Sequence, residues 1–259
     1  MKQSLKLAVI GPWGRMGRRV LELVAADSEV VLHSVLVRSV DEGDERYREL
    51  PQGCTVTDKV DEALPGADAL IDFTAPTVCG VLAPKCAEYK VAYVLASTGL
   101  SITDHAAVND AAHSTPVLEA ANFSLGVNVL LGLVQAAAEQ LAGFDVEISE
   151  IHHKFKRDAP SGTAYALGKA VHAGRSGLED TLGRVGEATR QDNELGYAAL
   201  RGGDVAGEHT VFFFGDGERI ELVHRSTSPD IFASGALKAA KWLVGKAPGR
   251  YSMRDVISN

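Results

Sequence analysis

The chain has 259 residues, of which 46% are hydrophobic, 23% charged and 6% aromatic. This length accommodates one large or two modest domains, and the composition is typical of an ordinary globular protein. The formal net charge of −8 argues against a general nucleic-acid or anionic-membrane binder, because both of those partners attract basic surfaces.

The three cysteines, Cys54, Cys79 and Cys86, are odd in number and have neither CxxC nor CxxH spacing. This argues against a disulfide framework and a zinc site, and we expect no metal centre. The N-terminus runs into a strand pattern without the features of a signal peptide, and no apolar run approaches the ~20 residues that a membrane span requires. We therefore expect a cytoplasmic protein.

From the N-terminus to about residue 120, short apolar runs alternate with helical patterns. The predicted strands are Lys6–Ile10, Val31–Val37, Ala69–Phe73, Val91–Ala96 and Pro116–Ala120, and the predicted helices lie near Arg15–Ala26, Val78–Tyr89 and Asp104–His113. This alternation is typical of βαβ units, and it predicts a doubly wound α/β domain with a Rossmann-type parallel sheet.

A glycine-rich turn follows the first predicted strand and opens the first helix, with the sequence Gly11-Pro12-Trp13-Gly14-Arg15-Met16-Gly17. Glycines at such a turn permit a tight bend, close approach of the backbone to a pyrophosphate, and packing of the helix on the strand. The spacing is GxxGxxG rather than GxGxxG, and a purely structural turn is the alternative. The position after a first strand favours dinucleotide binding.

The second predicted strand ends at Val37 and is followed by Arg38, with no carboxylate before Asp41. An acidic residue in this region usually accepts a hydrogen bond from the adenosine ribose, whereas an arginine accommodates a ribose 2′-phosphate. We therefore predict a preference for NADPH over NADH. An ordinary exposed charge is the alternative interpretation of Arg38.

Two further loops follow the fourth and fifth predicted strands. They read Ala96-Ser97-Thr98-Gly99 and Ala120-Ala121-Asn122-Phe123. Ligands of open α/β sheets bind beyond the carboxyl ends of the strands, so we expect these loops to line the nicotinamide end of the cofactor site.

After Asn122 the pattern changes to a long apolar helix at Val127–Leu141, a strand that begins at Asp145, and a hairpin whose strands are His209–Phe214 and Arg219–His224. The stretch from Gly174 to Gly203 has no clear period, which predicts a loop. A further helix is predicted at Phe232–Gly245. We expect a dinucleotide-binding domain over residues 1–122, completed by 235–259, and an α+β domain over 123–234 with a mainly antiparallel sheet for substrate binding and oligomerisation.

The segment from Glu150 to Thr163 combines two imidazoles, three cations and a Ser-Gly-Thr helix start. Imidazole is the usual proton carrier near neutral pH, and a helix N-terminus binds carboxylates and phosphates. The candidate residues are His152, His153, Lys156, Ser161, Gly162 and Thr163. A buried structural histidine and a metal ligand are the alternatives for the two imidazoles, and Lys154 is interpreted as a solvated charge. The remaining histidines are interpreted as structural: His33, His105, His113, His172, His209 and His224.

With the glycine turn and the histidine segment together, the chain resembles the dihydrodipicolinate reductases, also called 4-hydroxy-tetrahydrodipicolinate reductases, of lysine biosynthesis. The hallmark of that family, E-x-H-H-x-x-K-x-D-A-P-S-G-T-A, is matched at every fixed letter from Glu150 to Ala164. Three further segments resemble the family, and they are Gly14–Gly17, Ala121–Ser124 and Arg201–His209. The resemblance covers nearly the whole chain.

The resemblance implies a role for each matching residue. His152 is implied to be the catalytic acid or base, His153 a substrate contact, Lys156 a proton donor, and Gly162 with Thr163 a carboxylate clamp. The cofactor is implied to lie on Gly11 to Met16, Arg38, Ala96 to Thr98 and Ala120 to Phe123. Val37 and Ala96 depart from the family pattern, in which an acidic residue and a glycine are common. The missing acidic residue argues against the family's use of NADH, and the β-carbon of Ala96 is expected to crowd the nicotinamide ribose.

We therefore expect an NAD(P)H-dependent reductase of a cyclic, unsaturated dicarboxylate, acting in lysine and diaminopimelate biosynthesis. Hydride attack on a ring carbon would be completed by a proton from His152 or Lys156, and the residues do not decide between these two donors. A related oxidoreductase of the same architecture with another dicarboxylate or amino-acid substrate is the alternative, and a non-catalytic dinucleotide sensor is a second one. The family resemblance also implies a homotetramer.

Overall fold

The computed structural model describes residues 4–258. These residues form two compact units. One unit contains the described residues up to Ser124 together with those from Asp230 onward, and the other is Leu125–Pro229.

The strands, in chain order, are β1 (Leu5–Ile10), β2 (Val30–Leu36), β3 (Thr55–Thr57), β4 (Ala69–Asp72), β5 (Ala92–Leu95), β6 (Pro116–Glu119), β7 (Asp145–His152), β8 (Glu179–Leu182), β9 (Glu194–Arg201), β10 (Gly207–Gly215), β11 (Glu218–Ser226) and β12 (Gly249–Tyr251). The α-helices are α1 (Arg15–Ala25), α2 (Val60–Ala63), α3 (Pro76–Tyr89), α4 (Ile102–Ala112), α5 (Leu125–Gln140), α6 (Gly162–Gly174), α7 (Asp230–Leu243) and α8 (Met253–Ile257). A 3₁₀ helix occupies Glu45–Glu49.

The first unit contains a seven-stranded sheet in the order β12-β6-β5-β4-β1-β2-β3, and all of its pairings are parallel. Its central strands are almost continuously apolar because helices cover both faces, and all of β5 is buried. Helices α3 and α4 bury Leu82 and Val108 against one face, while α7 packs on β4, β5 and β6. The predicted Rossmann-type fold is confirmed.

The second unit contains a five-stranded sheet in the order β11-β10-β7-β9-β8. Alternate residues of β7 are buried, and Val146 and Ile148 pack in one core with Leu130 of α5 and Leu167 of α6. Because side chains on a strand alternate, Glu150 and His152 lie on this same buried face.

Two expectations for this unit need correction. The stretch Gly174–Gly203, predicted to be a loop, contains β8 and β9. Strand β8 is a polar edge strand, and β9 buries three consecutive residues and then exposes three, so neither shows the alternation that reveals a strand. The sheet is mixed rather than mainly antiparallel, because β9 pairs in parallel with both β7 and β8 while only β7, β10 and β11 are antiparallel neighbours.

The helix and strand bounds of the remaining predicted elements agree with the structure to within a few residues. The short β3, α2, the 3₁₀ helix and β12 were not predicted, because segments of three to five residues carry too few positions to show a period. Within residues 4–258, no helix is both long and apolar enough to cross a bilayer.

Candidate active site

Strand β7 places a carboxylate and an imidazole two positions apart on one face of the second sheet. Glu150 is 1% exposed and His152 is 8% exposed. The strand pairing places Arg201 of β9 directly across from His152, and His209 of β10 directly across from Glu150. The register of three strands therefore assembles a cluster of four ionisable side chains.

Glu150 is hydrogen-bonded through both of its carboxylate oxygens. Oε2 accepts from Nδ1 of His152 at 2.5 Å and from Nη1 of Arg201 at 2.8 Å. Oε1 accepts from the backbone N–H of Ser161 at 3.1 Å and from Nη2 of Arg201 at 2.7 Å. A carboxylate can only accept, so His152 carries a proton on Nδ1, and this tautomer is assigned from the hydrogen-bond network.

Burial and charge oppose each other in this pair. For Glu150, burial favours the neutral acid, but hydrogen bonds from Arg201 and His152 outweigh it and lower the pKa below the ordinary value. For His152, burial lowers the pKa, and the adjacent Glu150 only partly restores it. Glu150 is therefore a carboxylate, and the proton affinity of His152 depends on it.

Helix α6 begins at this cluster. Ser161 is its N-cap and accepts a hydrogen bond from the backbone N–H of Ala164 at 3.2 Å. The first turn contains no acidic side chain, Gly162 is exposed and Thr163 is half-buried. The positive end of the helix dipole at this turn favours an anion such as a substrate carboxylate.

The turn between β7 and α6 carries the predicted cationic residues. The backbone N–H of His153 donates to the carbonyl of Val205, and the N–H of Lys156 donates to the carbonyl of His153. The half-buried Lys156 forms an ion pair with Asp158, with 2.9 Å between Nζ and Oδ1, and this hydrogen bond lowers the pKa of Asp158. Lys154 is exposed with Phe155. The ion pair therefore holds Lys156 beside the imidazoles.

His209, interpreted from the sequence as structural, belongs to this cluster. Its Nε2 lies 3.0 Å from Oγ of Ser161, and its ring packs edge-on against that of His152, with centroids 5.1 Å apart. Burial lowers the pKa of His209 to about 4, so it is neutral at pH 7. Oγ of Ser161, which accepts from the N–H of Ala164, is thus hydrogen-bonded to His209 as well. Glu150, Arg201 and His209 were not predicted as site residues, although all three lie within the motif segments.

The glycine turn of the first unit has the geometry of a close backbone approach. Gly11 has φ +65°, and a β-carbon there would lie 2.9 Å from Cγ2 of Thr74. A β-carbon at Gly17 would lie 2.2 Å from the carbonyl oxygen of Gly11. Helix α1 begins at Arg15 with Gly14 as N-cap and has no acidic residue in its first turn. The glycines therefore allow the turn to pack closely on its neighbours, and the N-terminus of α1 offers positive potential for a phosphate group.

The other predicted cofactor residues follow parallel strands and therefore share the carboxyl edge of the first sheet. Strand β1 lies between β2 and β4, which is the point where the strand order reverses. Beyond the carboxyl ends of β1, β2, β5 and β6 lie Gly11, Pro12, Trp13, Gly14, Arg15 and Met16, then Arg38, then Ala96, Ser97 and Thr98, and finally Ala120, Ala121, Asn122 and Phe123. Among the residues described, Ser97 Oγ is buried without a hydrogen-bond partner. The N-terminus of α1 and the unpartnered hydroxyl fit a dinucleotide.

Three of these side chains have particular surroundings. Trp13 stacks on Tyr47 with ring centroids 6.2 Å apart, and the Arg46 guanidinium lies 4.8 Å from its ring centroid. Arg38 is exposed. Phe123 is buried against Phe73, so its ring is withdrawn from any ligand.

The three cysteines are free thiols, and burial raises the pKa of Cys54 and Cys79 to about 11. Such thiols are poor nucleophiles at neutral pH. Within residues 4–258, no group of histidine, cysteine, aspartate and glutamate side chains is arranged to hold a metal ion.

Comparisons with known proteins identify the family of this chain. The family model for the N-terminus of dihydrodipicolinate reductase matches residues 5–123, and the model for its C-terminus matches residues 126–257. The 4-hydroxy-tetrahydrodipicolinate reductase of Aquifex aeolicus (strain VF5) is 44% identical over 262 residues, which cover 98% of this chain and 99% of that protein. The enzyme of the same name from Anaeromyxobacter dehalogenans (strain 2CP-C) is 46% identical over 265 residues, covering 97% of each chain.

A solved structure of dipicolinate-bound dihydrodipicolinate reductase from Paenisporosarcina sp. TG-14 has a TM-score of 0.82 at 22% sequence identity, and covers 96% of this chain and 98% of the other. At that identity it supports the fold. The sequence matches confirm the resemblance inferred from the motifs, and they favour the reductase interpretation over an oxidoreductase with another substrate. The chain therefore belongs to the dihydrodipicolinate reductase family and is an NAD(P)H-dependent oxidoreductase.

Proposed function

We propose that this protein reduces 4-hydroxy-tetrahydrodipicolinate to tetrahydrodipicolinate with NAD(P)H in lysine and diaminopimelate biosynthesis. The observation that carries the proposal is one cluster in which His152, held through Nδ1 by a buried carboxylate, lies beside Lys156 and the N-terminus of α6. This cluster combines a proton donor with a site for an anion.

The substrate is a cyclic dicarboxylate, and the second unit supplies groups of matching charge. Ser161, Gly162 and Thr163 hold one carboxylate at the start of α6, where the helix dipole favours negative charge. His153 and Lys156 contribute donors from the preceding turn. An otherwise acidic protein thereby presents a locally cationic site to an acidic substrate.

The nicotinamide cofactor is held by the glycine turn at Gly11–Gly17, by Arg38, and by the loops Ala96–Thr98 and Ala120–Phe123. When bound, it supplies the hydride that reduces the conjugated imine of the substrate. Backbone N–H groups at the start of α1 donate to the pyrophosphate, and Ser97 Oγ donates to the cofactor.

Loss of the 4-hydroxyl group as water gives the conjugated imine, hydride addition then moves electron density toward the ring nitrogen, and an acid in the cluster completes the reaction by delivering a proton. His152 and Lys156 are the two candidates. Burial lowers the pKa of His152, whereas a bound dianion raises it again because the imidazolium then faces two more negative charges. Binding of the substrate therefore prepares His152 as an acid.

The test is oxidation of NADPH that depends on freshly prepared 4-hydroxy-tetrahydrodipicolinate. We expect His152→Ala and Lys156→Ala each to lower kcat by about 10²-fold or more, with little change in the Kd of NADPH. Lys154→Ala, which removes the exposed cation between them, is the matched control and is expected to retain activity. Near-normal kcat in both site variants would remove this cluster from the chemistry.

We further propose that NADPH is preferred, because Arg38 follows β2 and no acidic side chain precedes Asp41. The Asp41 carboxylate accepts a hydrogen bond from the N–H of Gly43 within its own turn. Charge-assisted bonds to a 2′-phosphate contribute about 1.5–3 kcal/mol, so Arg38→Ala is expected to lower kcat/KM for NADPH by about 10- to 100-fold and to leave that for NADH nearly unchanged. A higher wild-type kcat/KM with NADH would contradict the proposal.

The family's tetrameric assembly is also proposed for this chain, through the face of the second sheet that α5 and α6 leave uncovered. Phe212 and Phe214 stack there at 5.5 Å, while Leu200 and Val223 are 52% and 40% exposed. An apolar sheet face of this kind favours association. Light scattering of the purified protein tests the assembly, and a monomer at assay concentration would contradict it.

A further inference from the structure

We infer that Glu150 and Arg201 are a positioning pair that fixes His152 with Nε2 as its reacting nitrogen and ties that imidazole to the carboxylate-binding start of α6. This inference deepens the proposed function and rests on it for the substrate. It concerns two residues that touch neither hydride donor nor substrate in the proposed mechanism and that act through His152 and Ser161.

Glu150 links the imidazole of His152 to the start of α6 through its hydrogen bonds. Its two oxygens accept four hydrogen bonds, from Nδ1 of His152, the backbone N–H of Ser161 and both terminal nitrogens of Arg201. Each oxygen binds the arginine and one element of the site. Rotation of the carboxylate would break bonds on both sides at once, so the imidazole and the first residue of the helix cap are held in one fixed relation.

Arg201 extends this relation to the turn that carries Lys156. Besides its two parallel bonds to Glu150, Nη2 donates to the carbonyl of Asp158 at 2.6 Å and Nη1 donates to the carbonyl of Leu200 at 2.7 Å. Asp158 in turn pairs with Lys156. The planar guanidinium suits this arrangement, because its donors diverge in a rigid fork that lysine lacks.

Gly207 identifies the nitrogen of His152 that is left for chemistry. A β-carbon at Gly207 would lie 3.0 Å from Nε2 and 3.4 Å from Cδ2 of His152. The missing side chain therefore keeps space open at Nε2, while Nδ1 is committed to Glu150. Together these two contacts assign proton transfer to Nε2.

Three charged groups act on this imidazole, and two further histidines lie on the neighbouring strands. Glu150 on β7 favours the imidazolium, whereas Arg201 on β9 and Lys156 in the turn disfavour it. His209 on β10 is neutral above about pH 4 because it is buried, and the half-buried His224 on β11, whose pKa burial also lowers, faces His209. Since Glu150 is the one carboxylate acting directly on His152 in this set, removing its charge lowers the proton affinity of His152.

The main experiment is Glu150→Gln, which preserves size and removes the charge. Because the variant loses the correct tautomer and the charge, kcat is expected to fall on the order of 10²-fold. The alkaline limb of the pH profile of kcat is expected to shift to lower pH. The Kd of NADPH is expected to stay unchanged. Nitrogen NMR of the imidazoles in free enzyme is expected to show the Nδ1–H tautomer of His152 in wild type and its loss in the variant. This second measurement needs no substrate.

Glu147→Gln is the matched control. Glu147 also lies on β7 between two arginines, Arg184 and Arg190, but it points to the opposite face of the sheet. The Glu147→Gln variant is expected to preserve the pH profile of kcat and the His152 tautomer. If Glu147→Gln shifted the pH profile of kcat as much as Glu150→Gln does, the shift would come from general loss of charge on the strand. That result would overturn the inference.

Arg201→Lys tests the pairing, because it retains the positive charge without the fork. It is expected to lower kcat by about tenfold or more, and the double variant with Glu150→Gln is expected to be no worse than the more impaired single variant, since both break one unit. If the losses of kcat in the two single variants were additive in the double variant, the inference that Glu150 and Arg201 act as a pair would be overturned.

If Glu150→Gln does not fold, Glu150→Asp replaces it, because a carboxylate shorter by one methylene retains the charge and withdraws from His152. Unchanged kcat, pH profile and imidazole tautomer in a folded Glu150 variant would overturn the inference. If wild type does not oxidise NADPH with the dicarboxylate, the proposed function fails, while the tautomer measurement still decides whether Glu150 positions His152.

Discussion

At the scale of single residues, Gly207 is important because it has no β-carbon. It has φ +153° and faces the ring of His152, so a methyl group there would be strained and would crowd Nε2. We expect Gly207→Ala to lower kcat by about tenfold or more while the Kd of NADPH is preserved, because the crowding acts within the second unit alone.

Gly202→Ala is the matched control for that variant. It lies in the connection between β9 and β10 that leads to Gly207, and a β-carbon there would have open space within 4 Å. Steady-state kinetics of the two variants distinguish a general effect of substitution in this region from crowding at Nε2 of His152. Equal kcat in the Gly207 variant and the wild type would show that Nε2 does not need this space.

At the scale of elements, α1 depends on how closely its first turn can approach the end of β1. Gly17 allows this approach, because any β-carbon there would overlap the carbonyl oxygen of Gly11. We expect Gly17→Ala to displace the turn and to weaken binding of both NADPH and NADH by about tenfold or more, as measured by fluorescence titration. Loss of both cofactors together separates this effect from that of Arg38→Ala.

Gly132→Ala provides the control for Gly17→Ala. Gly132 is also inside a helix, α5, but a β-carbon there would have open space within 4 Å. Alanine is the better helix former, so this change is expected to preserve or slightly raise stability. Normal cofactor affinity in the Gly17 variant would mean that the turn tolerates a side chain.

At the scale of the whole molecule, the buried histidines make stability depend on pH. The pKa of His209 is about 4 in the folded protein because of burial, whereas an unfolded chain has a histidine pKa near ~6.5. Between these values the unfolded chain binds a proton that folded His209 does not bind, so stability falls as the pH drops from about 6.5 to about 4. His152 and His224, whose pKa values burial also lowers, act in the same direction.

We expect His209→Gln to lose less Tm than the wild type between pH 7 and pH 5, even though its Tm at pH 7 is lower because the contact with Ser161 is changed. Thermal unfolding over a pH series measures this, with His113→Gln, an exposed imidazole, as the control. The same loss of Tm in the His209 variant and in the wild type would contradict the assigned role.

The fold class could be predicted from the sequence because its causes are local. Apolar runs such as Ala92–Leu95 predict buried strands, and a glycine turn after the first strand predicts the start of α1. The histidine segment Glu150–Thr163 is continuous in the chain, so its motif can be recognised without a structure. Strands β8 and β9 were missed because an exposed edge strand, and a strand that buries consecutive residues, carry no alternating pattern.

The sequence by itself thus determined the family, the nucleotide-binding fold and the presence of His152 and Lys156 in one short segment. Only the tertiary structure decided which distant residues act on them. Arg201 and Glu150 are 51 positions apart, and His209 and Ser161 are 48 positions apart. The registers of β7 with β9 and β10 bring them together, and register depends on packing of a whole face rather than on local pattern.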